Sequence, residues 1–161
     1  MIMLDLGCGP NKNQGFTGID RWEFDGVDIV RDLRRGLPFA DSSIDGIMAK
    51  HILEHFDGED LIFIVDEMWR VCKHGVKVYV EVPGLGSPNC GKDYTHKKKD
   101  WDEWSFQMWE KHGFPKDEEY LIERGPMYGI SGEYGVEYQF YPSTQNAHYQ
   151  LTVIKEKVLD L

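Results

Sequence analysis

The opening stretch MIMLDLGCGPNK constrains the fold more than any other part of the chain. An apolar run ends at Leu6 and is followed by Gly7 and Gly9, which is typical of a short buried strand that turns sharply. Glycines permit a positive φ and let a ligand lie against the backbone. Because open α/β sheets bind ligands beyond the carboxyl ends of their strands, this turn and the acid Asp5 predict a ligand site. The alternative is an ordinary strand-to-turn junction.

The glycine spacing argues against two common nucleotide sites. The dinucleotide fingerprint needs a third glycine three residues after the second, and Lys12 occupies that position. The phosphate-binding pattern that ends in Gly-Lys-Ser/Thr is also absent. The segment LDLGCGP instead resembles the first motif of the class I S-adenosylmethionine-dependent methyltransferases.

That resemblance implies an α/β fold with a Rossmann-like, mostly parallel sheet and a C-terminal antiparallel hairpin. It implies S-adenosyl-L-methionine as the cofactor. Four residues of the first motif would lie at the cofactor, namely Asp5, Gly7, Cys8 and Gly9.

A second strand is predicted over residues 16–19, and it ends at Asp20. By the resemblance, Asp20 accepts hydrogen bonds from the ribose hydroxyls, a task that suits a carboxylate because it is acceptor-only. Residues 10–15 are too few for the helix that normally joins the first two strands. Either that helix is reduced to a turn, or the strand order at this edge differs. We also expect no helix before the first strand.

Residues 27–31 are β-branched and predict a third strand, and DLRRGLPFADSSIDGIMAKHILEHF follows. This segment resembles the methyltransferase pattern in which an acid after strand three faces the adenine. On that pattern Asp32 and Leu33 lie at the adenine, although a solvated turn is the alternative for Asp32. A fourth strand is expected over Gly46–Lys50. The residues that the resemblance places near the methionine part of the cofactor are Ala49, Lys50 and His51.

The pentapeptide HILEH also matches the H-x-x-E-H zinc signature, with His51 and His55 four residues apart and Glu54 between them. Such a site needs a third ligand and a helix long enough to present both histidines. A predicted strand ends directly before His51, so the favoured interpretation is that His55 packs or hydrogen-bonds at a helical turn. No metal site is expected.

Residues 57–74 predict the clearest helix, with Asp57 as N-cap and Gly75 as its stop. A fifth strand is predicted over residues 77–82, because valines alternate there, and Pro83 ends it. Two alternating runs, 136–141 and 149–155, predict a closing antiparallel hairpin joined through PSTQNAH.

Residues 84–125 predict an insertion or cap over the carboxyl edge of the sheet, within a single domain that spans residues 1–161. The run DYTHKKKDWDEWSF resembles a D-x-T-H…S-F signature of small methyltransferases from glycan-synthesis clusters and phages. The resemblance implies that Asp93, Tyr94 and His96 face the methyl acceptor. The alternative for His96 is a hydrogen bond within the insertion.

Composition limits the partners. The net charge of −10 argues against nucleic acid as a partner, since duplex affinity comes mostly from neutralising phosphates. The lysine run at residues 97–99 is typical of a solvated loop.

No apolar run approaches a membrane span and no signal pattern is present, so we expect no membrane association and a cytoplasmic location. The cysteines, read as free thiols, are Cys8, Cys72 and Cys90.

The expected function is therefore S-adenosylmethionine-dependent methyl transfer to a small-molecule or glycan acceptor. The candidates for a general base are His51 and His96, because imidazole titrates near neutrality. The context of Cys90 lacks the Pro-Cys pair of cytosine-methylating enzymes, and the Asn/Asp-Pro-Pro-Tyr/Phe box is absent. Two alternatives stay open: a catalytically degenerate binding module of the same fold, and a zinc hydrolase that uses HILEH.

Overall fold

The computed structural model describes residues 1–106, 109 and 132–155. The strands are β1 (Met3–Leu6), β2 (Thr17–Asp20), β3 (Ile29–Val30), β4 (Gly46–Lys50), β5 (Lys77–Pro83), β6 (Tyr134–Tyr141) and β7 (Asn146–Val153). The α-helices are α1 (Gly58–Val71) and α2 (Pro88–Lys92). Two 3-10 turns, Leu33–Arg35 and Leu53–His55, follow β3 and β4.

The described strands form one sheet in the order β3-β2-β1-β4-β5-β7-β6. Neighbours among β1 to β5 pair in parallel, and β7 pairs antiparallel with both β5 and β6. The sequence order reverses between β1 and β4, which is where an open α/β sheet forms its ligand crevice. The predicted fold class is confirmed: a mostly parallel Rossmann-like sheet closed by an antiparallel C-terminal pair.

The link between β1 and β2 contains turns and no helix. The backbone N–H of Gly7 donates to Ile19 O at 2.8 Å, so the chain leaves β1 while still bonded to β2. Strand order at this edge is unchanged, and the expected crossover helix is reduced to turns.

Helix α1 ends at Val71, three residues before the predicted end. Cys72 is already extended and forms a parallel bridge with Ile44, which draws the chain towards the sheet before Lys73. At the other end Asp57 occupies the N-cap position, but its side chain makes no capping hydrogen bond.

The boundaries of four strands differ from the sequence predictions, and β6 begins at Tyr134, two residues before its predicted start. β3 is shorter than residues 27–31, because the N–H of Val27 is held in a turn by Phe24 O. β5 extends to Pro83, which pairs with Asn146. β7 begins at Asn146 and ends at Val153, since residues predicted as loop pair with the end of β6.

One face of the sheet is buried beneath α1 and the other is half-buried. Tyr149 of β7 lies on the buried face and makes ring contacts with Trp101 and Phe106. The indole Nε1 of Trp109 donates to Asp66 of α1 at 2.8 Å. These aromatic residues of the predicted cap therefore pack against the buried sheet face and α1, while the N–H of Leu85, just after β5, donates to Trp101 O at 2.8 Å. Residues 107, 108 and 110–125 of the predicted cap lie outside the described residues.

Among the residues described, no helix has both the length and the apolar character needed to cross a bilayer.

Candidate active site

The glycine turn after β1 has the backbone that its sequence predicts. Gly7 and Gly9 adopt φ values of 64° and 52°. The buried carboxylate of Asp5 accepts hydrogen bonds from the N–H and side-chain amide of Asn13, at 2.7 and 2.8 Å. Asp20, at the end of β2, accepts one from the N–H of Gly9 at 2.9 Å. Both acids therefore fix the turn that a ligand would approach.

A pocket opens at the carboxyl ends of β1 and β2. Its lining residues are Gly7, Asp20, Arg21, Arg31, Asp32, Leu33, Ile52 and Phe56. Four of these were predicted at the cofactor, on three separate segments of the chain: Gly7, Asp20, Asp32 and Leu33. Asp5 is not among the lining residues, and its carboxylate accepts from Asn13 in the link between β1 and β2. Asp20 and Asp32 therefore line one pocket, and Asp5 lies in the strand that leads to it.

Asp32 is held by its own 3-10 turn. Its carboxylate accepts from the guanidinium of Arg34 and from the N–H of Arg34 at 3.0 Å. These contacts, led by the side-chain hydrogen bond, lower the pKa of Asp32 to about 2. Arg31 donates to the carbonyl groups of Arg35 and Gly36 and closes the loop that follows β3. The adenine end of the predicted site is therefore a rigid, charged turn.

The other predicted cofactor residues lie outside the pocket lining. Ala49 is fully buried in β4. The Lys50 ammonium lies 5.9 Å from the ring centroid of Tyr79, on the half-buried face of the sheet. Cys8 packs towards Gly18, and burial, assisted by the charges of Asp5 and Asp20, raises the pKa of its thiol to about 11. The Cys8 thiol is consequently protonated at neutral pH.

His51 lies between two carboxylates at the ends of β4 and β5. Its Nδ1 is 3.4 Å from Glu54 Oε1 and its Nε2 is 3.3 Å from Glu81 Oε1. Asn146 of β7 donates to the same Glu81 oxygen at 2.8 Å. The backbone of His51 has φ 52°, a left-handed conformation that is uncommon outside glycine and often marks a functional position. The contact with Glu54 raises the pKa of His51, against burial.

His96 is mostly buried and packs edge-on against His55, with ring centroids 4.9 Å apart. Its Nε2 is 3.6 Å from Asp93 Oδ2 and 4.0 Å from Glu54 Oε1. Beside it, Asp93 is half-buried and Tyr94 is exposed. These residues border a groove of about 560 Å³, which we call the acceptor groove. Its lining residues are Asn89, Lys92, Asp93, Tyr94, Thr95 and His96.

The H-x-x-E-H signature does not form the helix of a zinc hydrolase. Glu54 and His55 end a three-residue 3-10 turn, and His51 precedes it with a left-handed backbone. His55 instead hydrogen-bonds with Thr95 through its Nδ1 at 3.1 Å, as the favoured interpretation of this residue predicts.

Sequence reasoning missed several lining residues. Ile52 and Phe56 had a signal, because they are the apolar members of the segment directly after β4. Glu81 interrupts an otherwise apolar strand, which also marks it. Nothing local to Arg21 or Asn146 indicates their position, since it depends on how distant strands pair.

The lining chemistry fits an adenosyl group, and the space is narrow. Acids at one end suit ribose hydroxyls, and Leu33, Ile52 and Phe56 provide apolar walls. The cavity holds only about 40 Å³, against roughly 300–1,000 Å³ for ordinary ligand sites. Ile52 packs against the glycine turn at one side of this cavity, because its side chain lies 2.6 Å from the position that a Cβ on Gly7 would take.

Residues 16–80 match the family model of a methyltransferase domain. An Archaeoglobus fulgidus S-adenosylmethionine-dependent methyltransferase is 18% identical, with a TM-score of 0.59, over 93% of this chain and 85% of that one. A putative methyltransferase from Haloferax volcanii, in complex with the Trm112 activator, is 12% identical, with a TM-score of 0.60, over 96% and 83%. Burkholderia thailandensis 1,6-didemethyltoxoflavin-N1-methyltransferase, with its substrate and S-adenosylhomocysteine bound, is 10% identical, with a TM-score of 0.59, over 96% and 71%. No curated protein matches the chain in sequence.

The strand order and the pocket at the reversal between β1 and β4 define a class I methyltransferase fold. The match to the methyltransferase-domain model covers residues 16–80, which run from β2 into β5, and the solved methyltransferases named above share this fold.

Proposed function

We propose that this chain is an S-adenosylmethionine-dependent methyltransferase, and that it acts on a small-molecule or glycan acceptor bound in the acceptor groove. The observation that carries the proposal is the position of residues 51–56 between two sites. Ile52 and Phe56 line the cofactor pocket. Glu54 and His55 contact residues 93–98, which include the groove lining. A methyl group presented by the cofactor would therefore lie close to whatever the groove binds.

In this proposal, different residues of the pocket contact different parts of the cofactor. Asp20 accepts from the ribose hydroxyls, while Leu33 and Phe56 enclose the adenine beside Asp32. The bound cofactor supplies a methyl group already activated on a sulfonium. The protein then needs only to align the acceptor and exclude water.

We place His51 and His96 on the acceptor side. A base is required only when the acceptor is a hydroxyl or a protonated amine. His51 is the more accessible of the two, with 47% of its side chain exposed, and Glu54 and Glu81 hold its imidazole from both sides. His96 is 10% exposed and packs against His55, so it orients the groove more than it reaches into it.

The charge of the chain supports a small acceptor over a nucleic acid. The net charge is −10, and the groove carries the single pair Lys92 and Asp93 as its charged lining besides His96. A polyanion gains little from such a surface. A neutral hydroxylated molecule such as a sugar finds both a donor and an acceptor in the side-chain amide of Asn89.

Calorimetry with S-adenosylhomocysteine is the first test, and we expect saturable heat with one site per chain. Transfer of a labelled methyl group to panels of sugars, amines and nucleic acids is the second. We expect label only in the small-molecule and glycan panels. Label in nucleic acid alone would contradict the acceptor class. Binding of S-adenosylhomocysteine without transfer to any panel would favour the degenerate binding module.

A further inference from the structure

Three side chains of metal-ligand type converge beside the cofactor pocket. They are Glu54 and His55, from the 3-10 turn after β4, and His96, from the loop after α2. One ligand atom from each lies within 4.8 Å of the others. Some forty residues of chain separate the two segments, so the fold and not local sequence brings the cluster together.

Glu54 is the first reason to expect a cation here. Its side chain is 1% exposed, and neither carboxylate oxygen accepts a hydrogen bond from any residue that the structure describes. The nearest imidazole nitrogens, of His51 and His96, are 3.4 and 4.0 Å away. A buried carboxylate without hydrogen bonds is strongly unfavourable unless a charge compensates it.

His96 gives a second, independent indication. Its ring Nδ1 is buried and also lacks a hydrogen-bond partner among the described residues. The loop that carries it is fixed, because the N–H groups of Lys97 and Lys98 both donate to Glu54 O, at 2.8 and 3.2 Å. The imidazole is therefore held next to the carboxylate by the backbone.

His55 is oriented as a metal-bound histidine usually is. The Thr95 hydroxyl donates to Asp93 Oδ1 at 2.6 Å, so its oxygen accepts from His55 Nδ1–H. This fixes the neutral tautomer in which Nε2 carries the free lone pair. An outer hydrogen-bonding partner of this kind commonly orients a histidine ligand and raises its basicity.

We propose that Glu54, His55 and His96 bind a divalent transition-metal ion, with zinc the best match. Two histidines and one carboxylate form a common catalytic zinc set, which leaves a position open for water or substrate. Ligand atoms about 2.0–2.2 Å from such an ion lie roughly 3.4 Å apart, so distances within the cluster shorten by up to about 1.4 Å on binding. Side-chain rotation at His55 and His96 supplies that movement.

His96 also lines the acceptor groove, so a position of the ion that the three side chains leave open would be reached from this groove. Resting on the function proposed above, we assign the acceptor atom as a hydroxyl oxygen that binds this ion. The ion lowers the pKa of the hydroxyl, and its proton passes to water in the groove. The methyl carbon then bonds to that oxygen as its bond to the sulfonium sulfur breaks.

Metal binding is measured on the full chain, without an affinity tag and stripped by a chelator. Titration with Zn²⁺ by calorimetry should show one site per chain with micromolar or tighter affinity. Titration with Co²⁺ should give the visible absorption of a low-coordinate cobalt site. Glu54→Gln, His55→Gln and His96→Gln should each weaken Zn²⁺ binding at least tenfold. The matched control is His74→Gln, because His74 is exposed and outside the cluster.

The outcomes separate this inference from the proposed function. Absence of Zn²⁺ binding, or equal binding by the His96→Gln and unaltered chains, overturns the metal site. Melting curves and S-adenosylhomocysteine calorimetry show whether each variant is folded. Metal binding without S-adenosylhomocysteine binding contradicts the proposed function alone. A chain that binds S-adenosylhomocysteine but not Zn²⁺ contradicts the metal site alone. Methyl transfer that continues after the metal is removed by a chelator contradicts the proposal that the ion binds the acceptor oxygen.

Discussion

The carboxylate of Asp20, at the end of β2, accepts a hydrogen bond from the backbone N–H of Gly9, in the turn after β1, at 2.9 Å, and no helix lies between these two strands. Parallel neighbours usually need a long crossover, and here a short link of turns replaces it. The second oxygen of Asp20 accepts from the N–H of Trp22 at 2.9 Å. The acid that faces the cofactor pocket thus also holds the shortened link in place.

Replacement of Asp20 by alanine tests this double role. We expect Asp20→Ala to weaken S-adenosylhomocysteine binding at least tenfold, because hydrogen bonds to a charged group contribute roughly 1.5–3 kcal/mol each. We also expect a lower melting temperature, since the N–H groups of Gly9 and Trp22 lose their acceptor. Calorimetry and thermal unfolding measure the two effects.

Asp25→Ala is the matched control, because Asp25 is an exposed acid that lies in the loop after β2. It should change neither the affinity nor the melting temperature appreciably. Equal affinities for the Asp20→Ala, Asp25→Ala and unaltered chains would show that Asp20 has no contact with the cofactor.

The contact between Gly7 and Ile52 gives a second prediction. An alanine Cβ at residue 7 would lie 2.6 Å from the Ile52 side chain, whereas nothing lies within 4 Å of one at Gly9. Both glycines have positive φ, so both substitutions carry a similar backbone strain of about 1–2 kcal/mol. Gly7→Ala should therefore destabilise the fold by a further ~1–3 kcal/mol over Gly9→Ala. Chemical denaturation of both variants measures the difference.

A second substitution checks the cause. In the Gly7→Ala chain, Ile52→Ala removes the clashing atoms and should recover most of the extra loss. In the unaltered chain, Ile52→Ala should strengthen S-adenosylhomocysteine binding, because it opens the pocket at the glycine turn. If the clash with Ile52 is not the cause, Gly7→Ala should lower the free energy of unfolding by the same amount with isoleucine or alanine at position 52.

The strands could be predicted from the sequence better than their ends. β4 matches its predicted bounds because a short apolar run lies between the polar residues Asp45 and His51. The end of α1 was wrong because Cys72 bridges to Ile44, a contact between distant residues that helical spacing does not contain. The start of β7 was wrong for the same reason, since Asn146 has a weak strand preference and pairs because Tyr141 and Pro83 are opposite it.

The candidate site was likewise predictable from the sequence only in part. Gly7 and Asp20 were predictable because their roles follow from a turn and a strand end. The cluster of Glu54, His55 and His96 was not, because the sequence places His51 in the histidine pair and gives no sign that His96 lies nearby. Its assembly depends on the backbone bonds between residues 97–98 and Glu54.

Glu67 gives a prediction for pH. Its carboxylate accepts from the guanidinium of Arg70 and from the N–H of Leu37, at 2.6–2.8 Å. The hydrogen bond from Arg70, more than any other cause, lowers the pKa of Glu67 below its ordinary value of 4.5. A folded-state pKa below the unfolded one adds stability above about pH 4.5, and that stability is lost as the pH falls through the lower value.

Glu67→Gln should therefore reduce the free energy of unfolding at pH 7 by about 1–3 kcal/mol, because it removes charge-assisted hydrogen bonds. The difference from the unaltered chain should shrink steadily below pH 4.5. Urea denaturation at a series of pH values measures it, and Glu59→Gln, an exposed acid in the first turn of α1, is the control. A difference that stays constant down to pH 3 would contradict the assigned role of ionisation.

The last prediction concerns Tyr134, which joins the end strand of the sheet to α1. Its ring is fully buried, and its hydroxyl donates to the carbonyl of Val65 at 2.9 Å. Tyr134→Phe leaves that carbonyl without this donor inside the core, so we expect a loss of about 1–3 kcal/mol in the free energy of unfolding. Tyr141→Phe is the matched control, because the Tyr141 hydroxyl donates to Gln139 at the surface. It should cost less than about 0.5 kcal/mol. Equal losses for the two variants would mean that the buried bond adds nothing beyond a solvated one.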